Sequence, residues 1–361
     1  MNIDDLCIST NCSLLMALNK MDAIKKKLLI IKDEYGKFLT LISIGDIQRS
    51  IIKGHNLNDT LSEIKIDEKI TATTKDSDER IKSLMTSMRA DFMPVLNGDR
   101  DLYSVVFWED VAENDEIYPR TKNNIPVVVM AGGKGTRLKP LSNVIPKPLV
   151  PIGEKTILEE IIHRFKNAGT EDFYLSVNYK KEMIKYYLES VGESESIEYF
   201  SETEPLGTAG SLSLLKGKLN STFYVTNCDI LIDQDLSELY SYHVENKNEI
   251  TLVAAMKQIS IPYGTVLSGK DGLLEGMQEK PDLSFKINAG VYILEPHLLD
   301  EIPKDQFYHI TDLIEKVRRR AGRVGVFPIS EKSWLDIGEW PEYIKSVSQL
   351  DGEPNLNFLG L

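Results

Sequence analysis

Residues 126–153, PVVVMAGGKGTRLKPLSNVIPKPLVPIG, constrain this chain more than any other stretch. The run opens on four apolar residues, Val127 to Met130, with the pattern of a buried strand. Glycines follow at 132, 133 and 135, then Thr136, Arg137 and Leu138. Glycine lets the backbone take positive φ and approach a ligand with no Cβ in the way. Successive amides of such a loop converge on anionic oxygens. Arg137 adds a planar fork of donors suited to phosphate. Lys147 stands between Pro146 and Pro148, which predict an extended backbone from which the ammonium projects.

Two commoner phosphate signatures are excluded. No G-x-x-x-x-G-K-[ST] run occurs, and the third glycine of a G-x-G-x-x-G fingerprint after Gly133 and Gly135 is replaced by Leu138. A nicotinamide-dependent oxidoreductase is excluded with the second. The complete string resembles the signature of the sugar-1-phosphate nucleotidyltransferases, roughly G-G-x-G-T-R-L followed by P-K-P-L-x-P.

Later segments repeat that resemblance in the family's order. They are Glu204 to Gly210 (EPLGTAG), Asn227-Cys228-Asp229-Ile230, Glu279-Lys280-Pro281, Asn288 to Tyr292 (NAGVY) and Trp334 to Gly338 (WLDIG). Taken singly, each also reads as a loop, a cap or a helix start. Together they imply that Ala131, Gly132, Gly133, Gly135, Thr136, Arg137, Lys147, Pro205, Gly207 and Thr208 border a nucleotide. On the same ground Gly264, Glu279, Lys280 and Asn288 face the sugar and its phosphate, and Asp229 and Asp336 hold Mg²⁺. Arg137, Lys147, Asp229 and Lys280 are then the catalytic set. Cys228 stands where the family often has Gly. No catalytic triad is present, and His163 and His309 read as structural.

The family's fold is Rossmann-like. From Pro126 onward, strands and helices alternate, which independently predicts an α/β domain with a largely parallel mixed sheet over 126–350. Strands are expected at 173–177, 222–226 and 250–255. Helices are expected at 156–168, 181–189, 208–215, 236–244 and 310–320. The first of these carries a Thr156/Glu159 capping box and ends at Gly169. Residues 351–361 read as a tail.

Ahead of this domain lies an internal duplication over 1–118. A shift of 64 positions superposes Leu29-Ile30-Ile31 on Met93-Pro94-Val95, residues 38–42 on 102–106, and Asp46-Ile47 on Asp110-Val111. Each half reads as helix, strand, polar turn, strand and helix, with helices at 14–24 and 81–88 and turns at 33–37 and 97–101. The unit resembles a tandem pair of CBS domains, with Ser43 and Asp46 matching the family's [ST]-x-x-D. The second half keeps Asp110 but has Phe107 in the hydroxyl position. The resemblance implies an adenine-nucleotide ligand contacted by Ser43, Asp46 and Asp110. The same aspartates also suit plain helix capping, in a pair that only associates into a dimer or larger homo-oligomer. Residues 119–125 complete a polar linker.

Composition narrows the partners. Lys and Arg number 42 against 55 Asp and Glu, a formal charge of −13, which disfavours nucleic acid and anionic membranes. No apolar run reaches transmembrane length, the first ten residues lack a signal-peptide pattern, and three cysteines form no C-x-x-C pair. A reduced, cytoplasmic protein is expected. A CBS pair joined to this transferase resembles the glucosamine-1-phosphate guanylyltransferases of bacterial legionaminic-acid synthesis, implying GTP and glucosamine 1-phosphate as substrates. Mannose-1-phosphate guanylyl transfer, another nucleotide and sugar pair, or a non-catalytic nucleotide sensor are the alternatives.

Overall fold

A computed structural model describes residues 2–88, 90–111, 123–202 and 204–344. The chain divides into two compact units, 1–120 and 121–361. Most of the expected linker and the whole expected tail lie outside the described residues.

The first unit repeats itself at the offset read from the sequence. Its first half comprises β1 (Cys7–Ser9), α1 (Leu14–Ile24), β2 (Leu28–Lys32), β3 (Phe38–Ser43) and α2 (Ile44–Ile52). The second comprises β4 (Ala72–Thr73), α3 (Asp78–Met88), β5 (Phe92–Leu96), β6 (Leu102–Phe107) and α4 (Trp108–Val111). Each half forms a three-stranded sheet in which the first strand runs parallel to the second and the second antiparallel to the third. The ladder breaks register at corresponding places, between Ile31 and Lys32 and between Val95 and Leu96.

The two turns share one mechanism. Asp33 Oδ1 accepts from the Tyr35 and Lys37 amides, and Asn97 Oδ1 accepts from those of Asp99 and Asp101. These are side-chain-closed turns that Asp and Asn favour. Neither half could bury its apolar face alone. Ile30 and Leu41 of the first pack with Phe92 and Leu96 of the second in one core.

The second unit begins with β7 (Val127–Met130), α5 (Leu141–Val144), β8 (Pro151–Ile152), β9 (Lys155–Thr156) and α6 (Ile157–Asn167). It continues through β10 (Phe173–Val177), α7 (Lys181–Ser190), β11 (Ile197–Ser201), α8 (Gly207–Gly210), β12 (Phe223–Asn227), β13 (Ile230–Ile232) and α9 (Leu236–Glu245). Then come β14 (Ile250–Ser260), β15 (Thr265–Ser268), β16 (Leu274–Gln278), β17 (Asp282–Leu294), α10 (Ile310–Arg319), β18 (Val324–Ser330) and β19 (Trp334–Asp336). The main sheet has the order β11-β10-β7-β12-β17-β14-β18, and only β17 runs antiparallel to its neighbours.

Strand β7 sits inside this sheet and is buried on both faces. Val127 and Val129 join the core on one side and Val128 the core on the other, the two-residue alternation of a strand covered twice. Helix α6 starts as expected: Thr156 Oγ1 accepts from the Glu159 amide at 3.3 Å, and Glu159 Oε2 accepts from the Thr156 amide at 2.7 Å. The expected helix at 208–215 is instead the four-residue α8 followed by a 3₁₀ turn, Ser211–Leu215. Its opening amides, Ala209 and Gly210, donate to the Tyr308 carbonyl at 3.0 Å each. The first amides of a helix have no intrahelical acceptor, so the Tyr308 carbonyl caps α8.

Candidate active site

In open α/β sheets ligands bind beyond the carboxyl ends of the strands. Here those ends are Met130, Val177, Ser201 and Asn227 of four neighbouring parallel strands. A cavity of about 420 Å³ opens there, bordered by Met130, Gly132, Gly133, Gly135, Thr136 and Arg137 on one side. Ala131 is fully buried and lies behind this wall, its amide extending the ladder to the Ser176 carbonyl at 3.0 Å.

Gly135 has φ +61°, and a Cβ on it would stand 3.0 Å from Lys147 Cβ and 3.3 Å from Ser142 Cβ. Both conformation and space therefore demand glycine. The segment around Lys147 differs from the expected extended backbone. Pro146 is extended, but Lys147–Leu149 forms a 3₁₀ turn closed by the Leu149 amide on the Pro146 carbonyl and the Val150 amide on that of Lys147. A single such turn makes no use of the N–H that Pro148 lacks. It carries Lys147 into the unit, where the residue is 8% exposed.

The Lys147 ammonium forms an ion pair with Asp229. Asp229 reaches this position because β12 ends at Asn227 and the chain turns into β13. Strand β13 pairs antiparallel with β19, setting Ile230 opposite Asp336, and the Ile337 amide donates to the Asp229 carbonyl at 2.8 Å. Two aspartates far apart in sequence thus meet. An ideal Cβ on Gly338 would lie 2.7 Å from Asp336 Oδ1, 3.2 Å from Asp229 Oδ2 and 3.5 Å from Lys147 Nζ. Those three atoms surround one point that only glycine leaves open.

Burial pushes the Asp336 carboxyl up, and the Asp229 charge adds to it, against the Gly338 amide bond of 2.7 Å. Crowded carboxylates of this kind favour a bound cation. Their hard oxygen donors suit Mg²⁺, which binds through one or two carboxylates, waters and phosphates. The residues present therefore fit the ion that the sequence resemblance implies. Cys228 lines the same cavity, but burial first and the neighbouring Asp229 charge second push its thiol up to about 12. It is not a thiolate nucleophile at neutral pH.

The same cavity is lined by Pro205, Gly207 and Thr208 with Phe307 and His309. Thr208 Oγ1 accepts from the Ile310 amide at 3.0 Å. Glu202 lines the cavity as well. Its Oε1 accepts from Ser176 Oγ at 3.1 Å and its Oε2 from the Leu206 amide at 2.7 Å. The same carboxylate stands beside Gly132, whose Cβ would come within 3.1 Å of Oε1. Glu202 escaped the sequence reading although it sits just past a strand and three residues before Pro205. His309, read as structural, is a cavity residue here.

The expected sugar-side residues stand apart from this cavity. Gly264, just before β15, and Glu279 and Lys280, just after β16, are exposed at the base of the β15–β16 ribbon, where a Cβ on Gly264 would come within 2.9 Å of Glu279 Oε2. Asn288 donates to Tyr292 Oη at 2.8 Å and accepts from the Gly290 amide at 3.1 Å. Gly290 in turn lies against Asn227, a cavity residue.

In the first unit Ser43 and Asp46 form a helix-capping box at the start of α2. The Asp46 carboxylate accepts from the Ser43 amide and hydroxyl at 2.8 and 2.7 Å and pairs with Arg49 and Lys69. Asp110 accepts from the Phe107 amide at 3.3 Å, and Phe107 has no hydroxyl to match that of Ser43. Both aspartates cap helices, the non-ligand role open to them in sequence.

A family model described as Nucleotidyl transferase matches residues 126–352. The chain belongs to the nucleotidyl transferase family. Among its relatives, the mannose-1-phosphate guanylyltransferase catalytic subunit beta of Drosophila pseudoobscura pseudoobscura is 36% identical over 243 residues, 62% of each chain. The mannose-1-phosphate guanyltransferase of Pichia angusta is 37% identical over 235 residues, 61% of this chain and 62% of the relative. The chain thus spans about three fifths of the length of those relatives. Its fold resembles that of HddC from Yersinia pseudotuberculosis, with 27% identity, TM-score 0.50, and 62% of this chain and 99% of that one covered. A glucose-1-phosphate thymidylyltransferase structure from Bacillus anthracis, 19% identical with TM-score 0.51 and covering 63% of this chain and 95% of that one, shares the fold.

Proposed function

We propose that this nucleotidyl transferase moves a guanylyl group from GTP to a sugar 1-phosphate, giving a GDP-sugar and pyrophosphate. The observation that carries this reading is one cavity lined both by the cations Arg137 and Lys147 with Asp229 and by the Glu202 carboxylate. Cations suit the phosphates, and a carboxylate suits guanine, which offers N1–H and an exocyclic N2–H₂ as adjacent donors. Adenine and cytosine have no ring N–H on that edge, and uracil flanks its single N–H with carbonyls. The relatives named for guanylyl transfer support the same base.

In this reaction a sugar-phosphate oxygen attacks the α-phosphorus of GTP. A new P–O bond forms, the bond from the α-phosphorus to the bridging oxygen breaks, and pyrophosphate leaves. A phosphate monoester has a second pKa of about 6 and is already dianionic at neutral pH, so no general base is needed. The difficulty is bringing anions together. Lys147 and Arg137 offset that repulsion and stabilise charge on the departing pyrophosphate. Asp229 and Asp336 would hold Mg²⁺, which supplies further neutralisation of phosphate charge. Asn288, Glu279 and Lys280 are the residues to which we assign the sugar and its phosphate.

For the acceptor, mannose 1-phosphate is favoured by the names of the relatives. Glucosamine 1-phosphate is favoured by the duplicated unit at 1–120, which lies outside the matched 126–352. Pyrophosphate release with Mg²⁺, measured across the common NTPs and the 1-phosphates of mannose, glucosamine, N-acetylglucosamine and glucose, decides both. Release confined to GTP supports the reading. Release with another NTP alone removes the guanine assignment, and no release in protein that still binds nucleotide favours a sensor.

A further inference from the structure

One carboxylate oxygen in the cavity faces two cationic claims. Asp229 Oδ2 accepts the ion pair from Lys147 Nζ, whose side chain is 10% exposed. The same oxygen and Asp336 Oδ1 border the open point at Gly338, and Lys147 Nζ borders it too. A divalent cation shared by the two aspartates would therefore lie beside the Lys147 ammonium, and like charges at such range in a half-buried site repel strongly. With one ammonium already paired beside them, the two carboxylates keep a single net negative charge to offer a free divalent ion.

The balance changes once a polyphosphate is present. Lys147 lines the cavity together with Gly133 and Gly135, so its ammonium borders the space that a polyphosphate in this cavity would share. Its stem is held where Gly135 packs on Lys147 Cβ, so only the outer part of the side chain needs to turn. We infer that Lys147 is an exchangeable counter-ion. It offsets one of the two charges of the Asp229–Asp336 pair in the nucleotide-free protein and weakens binding of a free divalent cation. It transfers to the nucleotide's phosphates when a metal–nucleotide complex enters. Metal and nucleotide consequently bind with positive coupling, each strengthening the other. This rests on the reading that a nucleoside triphosphate occupies the cavity.

The test uses the full chain and Mn²⁺ as the probe, with bound ion counted by electron paramagnetic resonance in the absence of nucleotide. Lys147→Met is expected to bind Mn²⁺ at least about tenfold more tightly than the wild type, the scale of one charge removed at this distance. Lys147→Arg, which keeps the charge, is expected to stay weak. Equal affinity in wild type and Lys147→Met overturns the inference. Should the Met variant not fold, the wild type alone decides: Mn²⁺ binding as tight without GTP as with it also overturns the exchange. If the Mn²⁺–GTP complex fails to bind the wild type at all, the nucleotidyl-transfer reading falls with it. If it binds while the free-metal affinities match, only the exchange falls.

Discussion

The Arg137 guanidinium donates from Nη1 to Glu339 Oε1 at 2.9 Å, joining the glycine-rich loop to the segment just past Asp336. Both side chains are more than half exposed, at 65% and 54%. An exposed pair of this kind contributes about 0–1 kcal/mol, so a phosphate can take the guanidinium over at little cost. Glu339→Gln is expected to leave the melting temperature within about 2 °C of wild type and to lower KM for GTP by no more than a few-fold. Steady-state kinetics and a thermal melt check it. A large drop in stability would make the pair structural.

Glu202 offers a sharper test of base choice. Replacing it with Gln keeps the volume and one acceptor but puts an NH₂ where the second acceptor stood. A lost bidentate base contact costs about 1–3 kcal/mol in discrimination, so kcat/KM for GTP is expected to fall about 10- to 100-fold. The Ser176 and Leu206 bonds to this side chain can partly survive, so the melt should move little. Undiminished GTP preference in Glu202→Gln would take the base away from this residue.

Asp336 lets stability be read apart from the metal-holding role proposed for it. Burial and the adjacent Asp229 raise its carboxyl, so its charged form opposes folding. A folded value above the unfolded one makes the group favour the fold at low pH and oppose it once pH rises through the folded value. Asp336→Asn removes that charge and keeps an oxygen for the Gly338 amide. The expected result is a melting temperature at pH 7 equal to or above wild type, with turnover reduced on the order of 10²-fold or more. Differential scanning fluorimetry beside a pyrophosphate-release assay reads both quantities.

How much of this was legible in the sequence depended on whether the cause was local. The Thr156/Glu159 box and the apolar face behind it specify α6 by themselves, and its observed bounds, Ile157–Asn167, fall one residue inside the expected ones at each end. The duplication was legible because Asp33 and Asn97 close their turns with their own side chains. The short α8 with its 3₁₀ continuation was not, and the Tyr308 carbonyl that caps it comes from about a hundred positions away, where no local pattern reports it. The β15–β16 ribbon was missed for a related reason. Val266, Leu274 and Met277 are exposed rather than packed, at 63%, 62% and 70%, so apolarity there does not report burial. In the site, the glycine-rich loop and Lys147 were readable from type and spacing. The approach of Asp336 to Asp229 depends on the pairing of β13 with β19, which no local pattern encodes. Glu202 lay outside the quoted motif, although an acid just after a strand end was the signal available.

Asp46 separates a helix cap from a ligand contact in the first unit. It is 7% exposed; burial alone would raise its carboxyl, but the Ser43 amide and hydroxyl and the Lys69 ammonium outweigh burial and hold it below the usual range. Because the folded value lies below the unfolded one of about 3.9, its stabilisation is present above that pH and is lost as pH falls through the folded value. Asp46→Asn removes the charge that holds Lys69 and Arg49 and weakens the cap on α2. Losing a cap of this kind costs about 0.5–2 kcal/mol. Amides of α2 should therefore exchange with solvent faster in the variant at pH 7, and the difference from wild type should shrink as pH is lowered toward the folded value. If the same substitution also abolishes a thermal shift produced by AMP, ADP or ATP in the wild type, the carboxylate touches the ligand as well. If an adenine-nucleotide shift survives intact while α2 loosens, Asp46 acts only on the helix.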